Sequence, residues 1–371
     1  MKIGIIGNYG ATNVGDDAIL TAILKSLSGH KITVFSANPD KTNSEYGIDT
    51  VPLFPLGIRS GIKKGFRQSL KALKGVDVVI LGGGGLFQDD YLYACFLWAW
   101  QIFWIKQYKK PLFIYGAGVG PLRKKIGKKI TKWAFNKADV ITVRDQYSRD
   151  LLHQIGVLEK NIFKAADPAF IYRPPEMIKD RTKNLFIISV RPWLKYNSKI
   201  INSFIPFLEK LKAEKDAEFI FTCMQQIKEH DHRVIDPIVK KVGGELYIPG
   251  HFSDLIQVMQ TAEFAIGMRY HFLIAAFLTQ TPILPISYSP KVDELFKGTP
   301  LEPYLIPIKN LSADNLKQHL KRLSVDYNNV KVHEKYCMNQ LQELAQNNLD
   351  LFNEFIKPLT RSLRLSSVSK T

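Results

Sequence analysis

The chain has 371 residues, enough for two domains of ordinary size, and its 46% hydrophobic and 23% charged residues are typical of a globular protein. Its 51 lysines and arginines outnumber its 34 acids, so the formal net charge of +17 favours an anionic partner such as phosphate, nucleic acid or an anionic lipid surface. The alternative is an ordinary solvated basic surface. The three cysteines are widely spaced, which argues against a disulfide scaffold and a cysteine zinc site.

The beginning of the sequence and its most apolar window bear on localisation. Met1 leads directly into the strand-like run KIGIIG, without the apolar segment of a secretory signal, so we expect a cytoplasmic protein. The window Tyr93–Ile105 is shorter than the roughly 20 residues that span a bilayer. It therefore predicts a core helix, with a membrane-facing surface helix as the alternative.

Short apolar runs alternate with helix-length amphipathic segments, which predicts mostly parallel sheets covered by helices. The first strand-like runs are KIGIIG at 2–7, KITVFSA at 31–37, VDVVILGGGG at 76–85, PLFIYGAGVG at 111–120 and DVITVRD at 139–145. A proline-rich, charged stretch at 171–184 reads as a linker, and the alternation then resumes. Later strand-like runs lie at 185–190, 217–223, 245–250, 262–268 and 281–287, with helices near 199–213 and 229–241.

The predicted fold is α/β, with two Rossmann-like domains at 1–172 and 184–325 and a C-terminal helix and tail at 326–371. Ligands of such sheets bind beyond the carboxyl ends of the strands. Two domains facing each other would form a cleft between those ends, where the functional motifs are expected.

The stretch GNYGATNVGDDAIL at 7–20 follows the first strand. Its glycines permit tight turns and close approach to a ligand, and Asp16 is predicted to cap the next helix. The stretch has neither the G-x-G-x-x-G pattern of dinucleotide sites nor the lysine of a P-loop. Amide and carboxylate groups such as Asn8, Asn13 and Asp16 suit sugar hydroxyls better than a pyrophosphate. Turn formation and capping alone are the alternative.

Two further glycine runs follow later strands of the first domain. LGGGGLFQDD at 81–90 contains Gly84, Gln88 and Asp89, and YGAGVGP follows at 115–121. Four consecutive glycines cost backbone entropy, which indicates that something approaches the backbone closely. The sequence therefore predicts ligand loops at both places.

Arg144 ends the strand ITVRD and is predicted to point into the cleft, although an ion pair with a neighbouring carboxylate is the alternative. Asp145 or Ser148 is expected to begin the following helix. Asp167, directly before a proline, reads as a turn. Arg191 ends the first strand of the second domain on the same side.

GMRYHFLIAA begins where a predicted strand ends and a helix starts. Arg269 and His271 thus lie near a helix N-terminus, where partial positive charge and N–H donors bind anions. Lys291 follows the next strand, close to the same place. Such cations repel one another unless an anion joins them, which indicates a multiply charged small anion as ligand. The histidines of HDH at 230–232 lie two apart at a helix start, so no metal site is predicted there.

Together these motifs resemble the polysaccharide pyruvyl transferase family. The resemblance covers residues 3–295 and rests on GNYGATNVGDDAIL, LGGGGLFQD, GAGVGPL, TVRDQYS, AADPAF, GMRYHFLIAA and PISYSPKV. It implies a GT-B-like fold and transfer of pyruvate from phosphoenolpyruvate to a sugar as a cyclic ketal. The bacterial enzymes that pyruvylate N-acetylmannosamine of cell-wall polymers are the nearest named type, although acceptors differ within the family.

The resemblance also implies roles for individual residues. Arg144, Arg269, His271 and Lys291 would bind phosphoenolpyruvate, with His271 as the general acid that protonates its methylene carbon. The acceptor sugar would lie against residues Asn8, Asn13, Asp16, Gly84, Gln88 and Asp89. Asp16, or alternatively Asp89, would act as the base from the other domain. The reaction implies neither a cofactor nor a metal.

The positive stretches at 108–110 and 123–132 suit an acceptor on a lipid pyrophosphate, and hence peripheral contact with the anionic inner face of the cell membrane. Nucleic acid is not expected as a partner, because aromatic residues are not interleaved with the basic ones. Two other functions stay open. One is a nucleotide-sugar glycosyltransferase of the same fold, and the other is a non-catalytic protein that binds glycan or anions.

Overall fold

A computed structural model describes residues 1–56, 60–90, 92–174, 181–225 and 230–368. The chain divides by its internal contacts into two compact units. Unit 1 comprises Met1–Ala11, Ile19–Ile171 and Gln342–Thr371, and unit 2 comprises Thr12–Ala18 and Tyr172–Leu341.

The sheet of unit 1 is built from parallel strands that are nearly continuous in valine, isoleucine and phenylalanine, as expected for strands buried on both faces. They are β1 (Lys2–Ile6), β2 (Lys31–Ser36), β3 (Asp49–Pro52), β4 (Val78–Phe87), β5 (Leu112–Val119), β6 (Val140–Val143) and β7 (Ile162–Lys164). The connections contain α1 (Val14–Ser26), α2 (Pro39–Tyr46), α3 (Ser60–Gly75), α4 (Leu92–Gln107), α5 (Lys125–Phe135) and α6 (Gln146–Gln154).

Unit 2 repeats this construction. Its parallel strands are β8 (Thr182–Ser189), β9 (Glu218–Thr222), β10 (Glu245–Tyr247), β11 (Ala262–Gly267), β12 (Ile283–Ser287) and β13 (Ile306–Pro307). Its helices are α7 (Asn197–Lys215), α8 (His232–Val242), α9 (Phe252–Thr261), α10 (Tyr270–Thr279), α11 (Pro290–Phe296) and α12 (Ala313–Val325), and the chain continues into α13 (Tyr327–Val368).

Both sheets share one strand order. In unit 1 it is β3-β2-β1-β4-β5-β6-β7, and in unit 2 it is β10-β9-β8-β11-β12-β13. Each order reverses direction once, between β1 and β4 and between β8 and β11. This is the Rossmann arrangement, whose ligands bind at the carboxyl ends beside the reversal point. Two Rossmann-like domains were predicted, and the fold of each unit confirms this.

The units differ from the predicted domain bounds in two places. Residues Thr12–Ala18, predicted in the first domain, have most of their contacts in unit 2. The C-terminal helix α13 is not a separate segment, because Tyr327–Leu341 lies with unit 2 and the part from Gln342 onward with unit 1. The predicted linker at 171–184 lies partly outside the described residues.

The glycine runs of unit 1 are strand residues and not the loops that the sequence suggested. β4 continues to Phe87 and β5 to Val119. Gly83 and Gly84 have φ of +59° and +81°, which strains other residues. A Cβ at Gly83 would lie 2.1 Å from the Ile19 side chain, so at this glycine the close approach comes from helix packing.

The part of α13 that belongs to unit 1 is hydrogen-bonded to the rest of that unit by a buried asparagine. Asn348 accepts a hydrogen bond from the Thr142 hydroxyl at 2.6 Å and donates one to the Ala166 carbonyl at 2.9 Å. Phe352, one turn later, packs edge-to-face on Phe113 with ring centroids 5.4 Å apart. The helix is therefore part of the unit 1 core.

Candidate functional site

Three cationic side chains meet at the carboxyl ends of neighbouring strands in unit 2. Arg191 follows β8, Arg269 follows β11, and Lys291 begins α11 after β12. They surround Tyr288, which is only 7% exposed. The Arg191 guanidinium carbon lies 5.3 Å from the centre of the Tyr288 ring and the Lys291 ammonium lies 5.6 Å from it. We call these four residues the cation cluster.

Neighbouring rings hold two of the cations in position. The Arg191 guanidinium carbon lies 5.4 Å from the Trp193 ring, and that ring packs edge-on against Tyr288 with centroids 4.8 Å apart. The Lys291 ammonium lies 6.0 Å from the Tyr270 ring. Such cation–π contacts orient the charges without neutralising them. Both cations are thus oriented beside the Tyr288 phenol.

Arg269 differs because a carboxylate already binds one edge of its guanidinium. Asp231, fully buried at the start of α8, receives hydrogen bonds from Arg269 through Nε at 3.2 Å and through Nη2. The same carboxylate accepts from the backbone N–H of Met224 at 3.1 Å. A fork held in this way has a fixed plane, which is the geometry that recognises a second carboxylate or a phosphate.

The cation cluster changes the acidity of its central phenol. Burial acts to raise the pKa of Tyr288, but the charges of Lys291, Arg191 and Arg269 and a hydrogen bond with Lys291 outweigh burial and lower the pKa to about 7. Tyr115, buried in unit 1, shows the opposite case, because burial and the charge of Asp350 raise its pKa above the usual range.

His271 lies in the first turn of α10, beside the cluster and against the start of α1. A Cβ placed on Gly15 would lie 2.1 Å from the His271 Nδ1 atom, so the imidazole packs against the Gly15 backbone in space that a side chain there would occupy. The Tyr270 and His271 rings meet edge-on with centroids 5.5 Å apart. The Tyr270 ring therefore lies next to both the His271 imidazole and the Lys291 ammonium of the cation cluster.

The beginning of α1 is fixed to unit 2 by backbone and side-chain bonds. Val14 N–H donates to the Met224 carbonyl at 3.1 Å, beyond the end of β9. The Asp17 carboxylate accepts from the Phe252 N–H at 2.8 Å. These bonds hold residues 12–18 beside His271. The predicted acid His271 and the predicted base Asp16 thus occur in the same unit, although the sequence suggested opposite domains.

Within this segment the cap of α1 is Asn13 and not Asp16. The Asn13 side-chain oxygen accepts from the Gly15 N–H at 3.2 Å, which is an N-cap bond. The Asn13 amide donates to an Asp16 carboxylate oxygen at 2.8 Å. Asp16 is 8% exposed and lies in the first turn of the helix, one residue after Gly15. Its carboxylate is therefore held by the amide that caps the helix.

Arg144 occupies a different environment from the predicted one. It is 6% exposed in unit 1, and its guanidinium bonds Asp167 at 2.8 Å and Asp145 at 3.4 Å. A Cβ at Gly118 would lie 2.5 Å from this guanidinium. The structure therefore shows the ion pair that was the alternative reading of Arg144. Asp145 also caps α6 through the Ser148 N–H at 2.7 Å, as expected.

Among the predicted acceptor residues of unit 1, Asn8 follows β1 and Gly84 lies in β4, the strands that flank the reversal point. The Gln88 side chain, just beyond β4, accepts from the Asp90 N–H at 2.9 Å.

Asp89, the other predicted acceptor residue and alternative base, is 2% exposed. Its carboxylate accepts from the N–H groups of Arg123 at 2.9 Å and of Lys124, directly before α5. Its carboxylate therefore holds the backbone that leads into α5.

The described part of the chain contains no group of three histidine, cysteine, aspartate or glutamate side chains able to hold a metal ion. In the HDH stretch, His232 contacts Asp236 at 2.8 Å and Asp231 pairs with Arg269. Among the described residues, no helix combines the length and apolarity needed to cross a membrane.

Three contributors to the site were missed as site residues by sequence reasoning. Arg191 was placed at the correct strand end, but its meeting with Arg269 and Lys291 depends on strand order. Tyr288 lies in the quoted motif PISYSPK, three residues before Lys291, and that spacing is the signal that could have found it. Asp231 gave no signal, because its partner Arg269 lies 38 residues later in the sequence.

With this geometry described, comparison with known proteins identifies the class. A profile of the polysaccharide pyruvyl transferase family matches residues 13–290, well over half of the chain. The chain therefore belongs to the polysaccharide pyruvyl transferase family. Amylovoran biosynthesis protein AmsJ of Erwinia amylovora is 27% identical over 214 residues, covering 47% of this chain and 49% of AmsJ. The chain thus spans about half the length of this curated relative.

Solved structures support the fold. HepE of Anabaena, in complex with UDP-glucose, superposes with a TM-score of 0.65 at 12% identity over 96% of this chain and 100% of that chain. MnaA of S. aureus, in complex with UDP, gives 0.63 at 15% identity over 97% of both chains. At these identities the likeness shows the fold alone. The predicted GT-B-like fold class is confirmed.

Proposed function

We propose that this protein transfers pyruvate from phosphoenolpyruvate to two hydroxyls of a sugar in polysaccharide biosynthesis, forming a cyclic ketal and releasing phosphate. The observation that carries the proposal is the cation cluster beside His271 in a member of the pyruvyl transferase family. Phosphoenolpyruvate has two anionic groups, a carboxylate and a phosphate. The cluster has several cations, which follow different strands, so separate cations can bind each group.

The donor site of this proposal is formed by Arg191, Arg269 and Lys291. Arg269, oriented by Asp231, binds one anionic group of the donor through its second edge. Arg191 and Lys291 bind the other, since both lie against the Tyr288 ring. Arg144 is left out of the donor site, because Asp145 and Asp167 already pair with its guanidinium.

His271, as imidazolium, donates its proton to the methylene carbon of the donor, and C2 becomes an oxocarbenium centre. A sugar hydroxyl adds to C2 and gives its proton to Asp16. Phosphate then leaves with the C2–O electron pair, and a second hydroxyl of the same sugar adds to C2 and gives its proton to the departing phosphate. The proton on Asp16 returns to His271 and restores the starting state. The products are the ketal and hydrogen phosphate, with no oxidation or reduction.

The acceptor is the less specified partner. Asn13 and Asp16 are the proposed contacts to its hydroxyls, because they lie next to His271 through Gly15. Asn8, Gly84 and Gln88 stay predictions, as does Asp89, whose carboxylate bonds the backbone directly before α5. The name of AmsJ associates that relative with amylovoran biosynthesis, which supports an acceptor on a polysaccharide pathway. N-acetylmannosamine and lipid-linked saccharides are the first acceptors to test.

The test is phosphate release from phosphoenolpyruvate with an acceptor panel, using single variants. H271A should lower kcat by about 100-fold to 10,000-fold, as expected for loss of a general acid. R191A and K291A should raise the donor KM by roughly 10-fold to 100-fold, as expected for loss of a charged hydrogen bond. Lys309, exposed in unit 2, serves as control, and K309A should be unaffected. Normal turnover by H271A would overturn the acid assignment.

We also propose that unit 1 contacts an anionic membrane surface. Residues 92–138 contain ten lysines and arginines and no acid. Because α4 and α5 connect successive neighbours in the order β4-β5-β6, right-handed crossovers put both helices on one face of the sheet. Four apolar or aromatic residues of these helices are exposed to solvent. Their exposed fractions are 64% for Tyr93, 46% for Phe96, 46% for Ile126 and 39% for Trp133. Lysines beside apolar and aromatic side chains match a lipid headgroup region.

The vesicle experiment compares charge reversal at two places. Replacing Lys124, Lys125, Lys128 and Lys129 with glutamate should abolish co-sedimentation with vesicles containing phosphatidylserine, since each lysine contributes about 1 kcal/mol near such a surface. The exposed pair Lys240 and Lys241 of α8 provides the control, and K240E/K241E should still bind. Vesicle binding that does not weaken as salt is added would contradict an electrostatic contact. So would binding that persists after the four lysines are replaced with glutamate.

A further inference from the structure

Tyr288 is unusual because a buried phenol lies among three cations. Burial normally keeps a phenol neutral, since its charged form loses hydration. Here Arg191 comes from the end of β8, Arg269 from the end of β11 and Lys291 from α11, and all three act on the phenol. The Lys291 ammonium also hydrogen-bonds it. These contacts favour the phenolate and lower the pKa of the group to about 7.

Neutral and charged groups of unit 2 lie around the phenol. Trp193 and Tyr270 contribute neutral rings to the cluster. The Asp231 carboxylate reaches Arg269 from the start of α8, and it also accepts backbone N–H bonds. The three cations repel one another, and this repulsion favours an anion among them.

We propose that Tyr288 supplies this anion, as a phenolate counter-ion of the cation cluster, and takes up a proton from solvent when an anionic donor binds the cluster. The inference rests on the donor site proposed above and adds a positioning residue to it. The donor replaces the phenolate as partner of Arg191 and Lys291, and the phenolate oxygen gains one proton. No other bond forms or breaks in this step.

The exchange has a consequence for the pH dependence of donor binding. Above the pKa of about 7 the ligand-free protein has lost the Tyr288 proton, and binding must restore it. The dissociation constant for phosphoenolpyruvate should therefore rise by up to roughly tenfold for each pH unit above that value. Y288F has no phenolate to displace, so its dissociation constant should be nearly independent of pH there. The donor's own phosphate titrates equally with both proteins and drops out of the comparison.

The direct measurement is the near-ultraviolet absorbance of tyrosinate during a pH titration of the full chain. Wild type should show a step of one tyrosinate near pH 7, which phosphoenolpyruvate or inorganic phosphate shifts to higher pH. Y288F should lack this step. Y115F is the matched control, because Tyr115 is equally buried but its pKa is raised, and this variant should keep the step.

The outcomes separate this inference from the proposed function. A missing step in wild type, or a step retained in Y288F, overturns the counter-ion role and leaves the pyruvyl transfer proposal standing. A step that inorganic phosphate shifts, but phosphoenolpyruvate does not, supports the counter-ion role and contradicts the proposed donor. A Y288F protein whose donor binding keeps the wild-type pH dependence also overturns the inference.

Discussion

At the scale of single residues, the site depends on how closely His271 approaches the start of α1. Residue 15 is a glycine whose φ lies outside the left-handed region, so an alanine would fit its backbone conformation. The obstacle is space, because a Cβ there would lie 2.1 Å from His271 Nδ1. Gly15 thus sets the position of the proposed acid without taking part in the chemistry.

Gly15→Ala should push the imidazole out of position and lower kcat by about 100-fold, since a displacement near 1 Å at a reacting group costs on that order. The change should leave the fold intact, because the imidazole can move. Gly75→Ala is the matched control, since nothing lies within 4 Å of its added Cβ. Steady-state kinetics and circular dichroism of both variants test this. An unchanged kcat in G15A would contradict the claim that catalysis depends on this position of the His271 imidazole.

Arg269 and Arg144 occupy similar positions in the sequence, but their hydrogen-bond partners differ. Each ends a strand, and each bonds a buried aspartate. Arg269 bonds Asp231 through Nε and Nη2, which lie on one edge of its guanidinium. Arg144 bonds two carboxylates beneath Gly118. Sequence spacing placed both correctly at strand ends, but it carries no information on which carboxylate each would meet.

At the scale of elements, α13 contributes directly to the core of unit 1. Asn348 is fully buried and links the helix to Thr142 of β6 and to the Ala166 carbonyl. Its side chain satisfies groups of segments that are distant in sequence. The amphipathic pattern predicted this helix but not its attachment, because an asparagine in a helix is ordinarily a surface residue.

Asn348→Ala should lower the free energy of unfolding by about 1–3 kcal/mol, because the Ala166 carbonyl and the Thr142 hydroxyl each lose a hydrogen-bond partner in a buried place. Asn347→Ala, one residue earlier and partly exposed, is the control and should change stability far less. Urea unfolding of the two variants measures the difference. Equal stability would show that the asparagine does not fasten the helix.

The glycine-rich strands β4 and β5 mark the limit of element prediction from sequence. Alternating apolar and helical segments predicted the strands themselves. The sequence predicts ligand loops at these glycines, because a run of glycines indicates that something approaches the backbone closely. In the structure Gly83 and Gly116 have positive φ and pack against Ile19 and Pro168, so the strands continue through them. Ile19 and Pro168 are distant in sequence from the glycines they contact. The pattern of residues within each strand therefore does not predict this packing.

At the scale of the whole molecule, two units with the same strand order explain why the site residues are scattered along the sequence. Arg191, Arg269 and Lys291 are far apart in the chain, but β8, β11 and β12 are adjacent in the sheet. The sequence predicted two Rossmann-like domains, and it predicted that Arg269, His271 and Lys291 lie close together. It did not predict that residues 12–18 would lie in unit 2 or that Tyr288 would be the centre of the cluster.

The central claim is pyruvyl transfer at the cation cluster, and the most direct measurement is the mass of the acceptor. Purified protein is incubated with phosphoenolpyruvate and a panel of sugars and lipid-linked saccharides, and each acceptor is examined by mass spectrometry. The account predicts that one acceptor gains the mass of pyruvic acid less one water, together with one phosphate released, and that K291A loses both. No mass gain on any acceptor, with glycosyl transfer from a UDP-sugar instead, would contradict it.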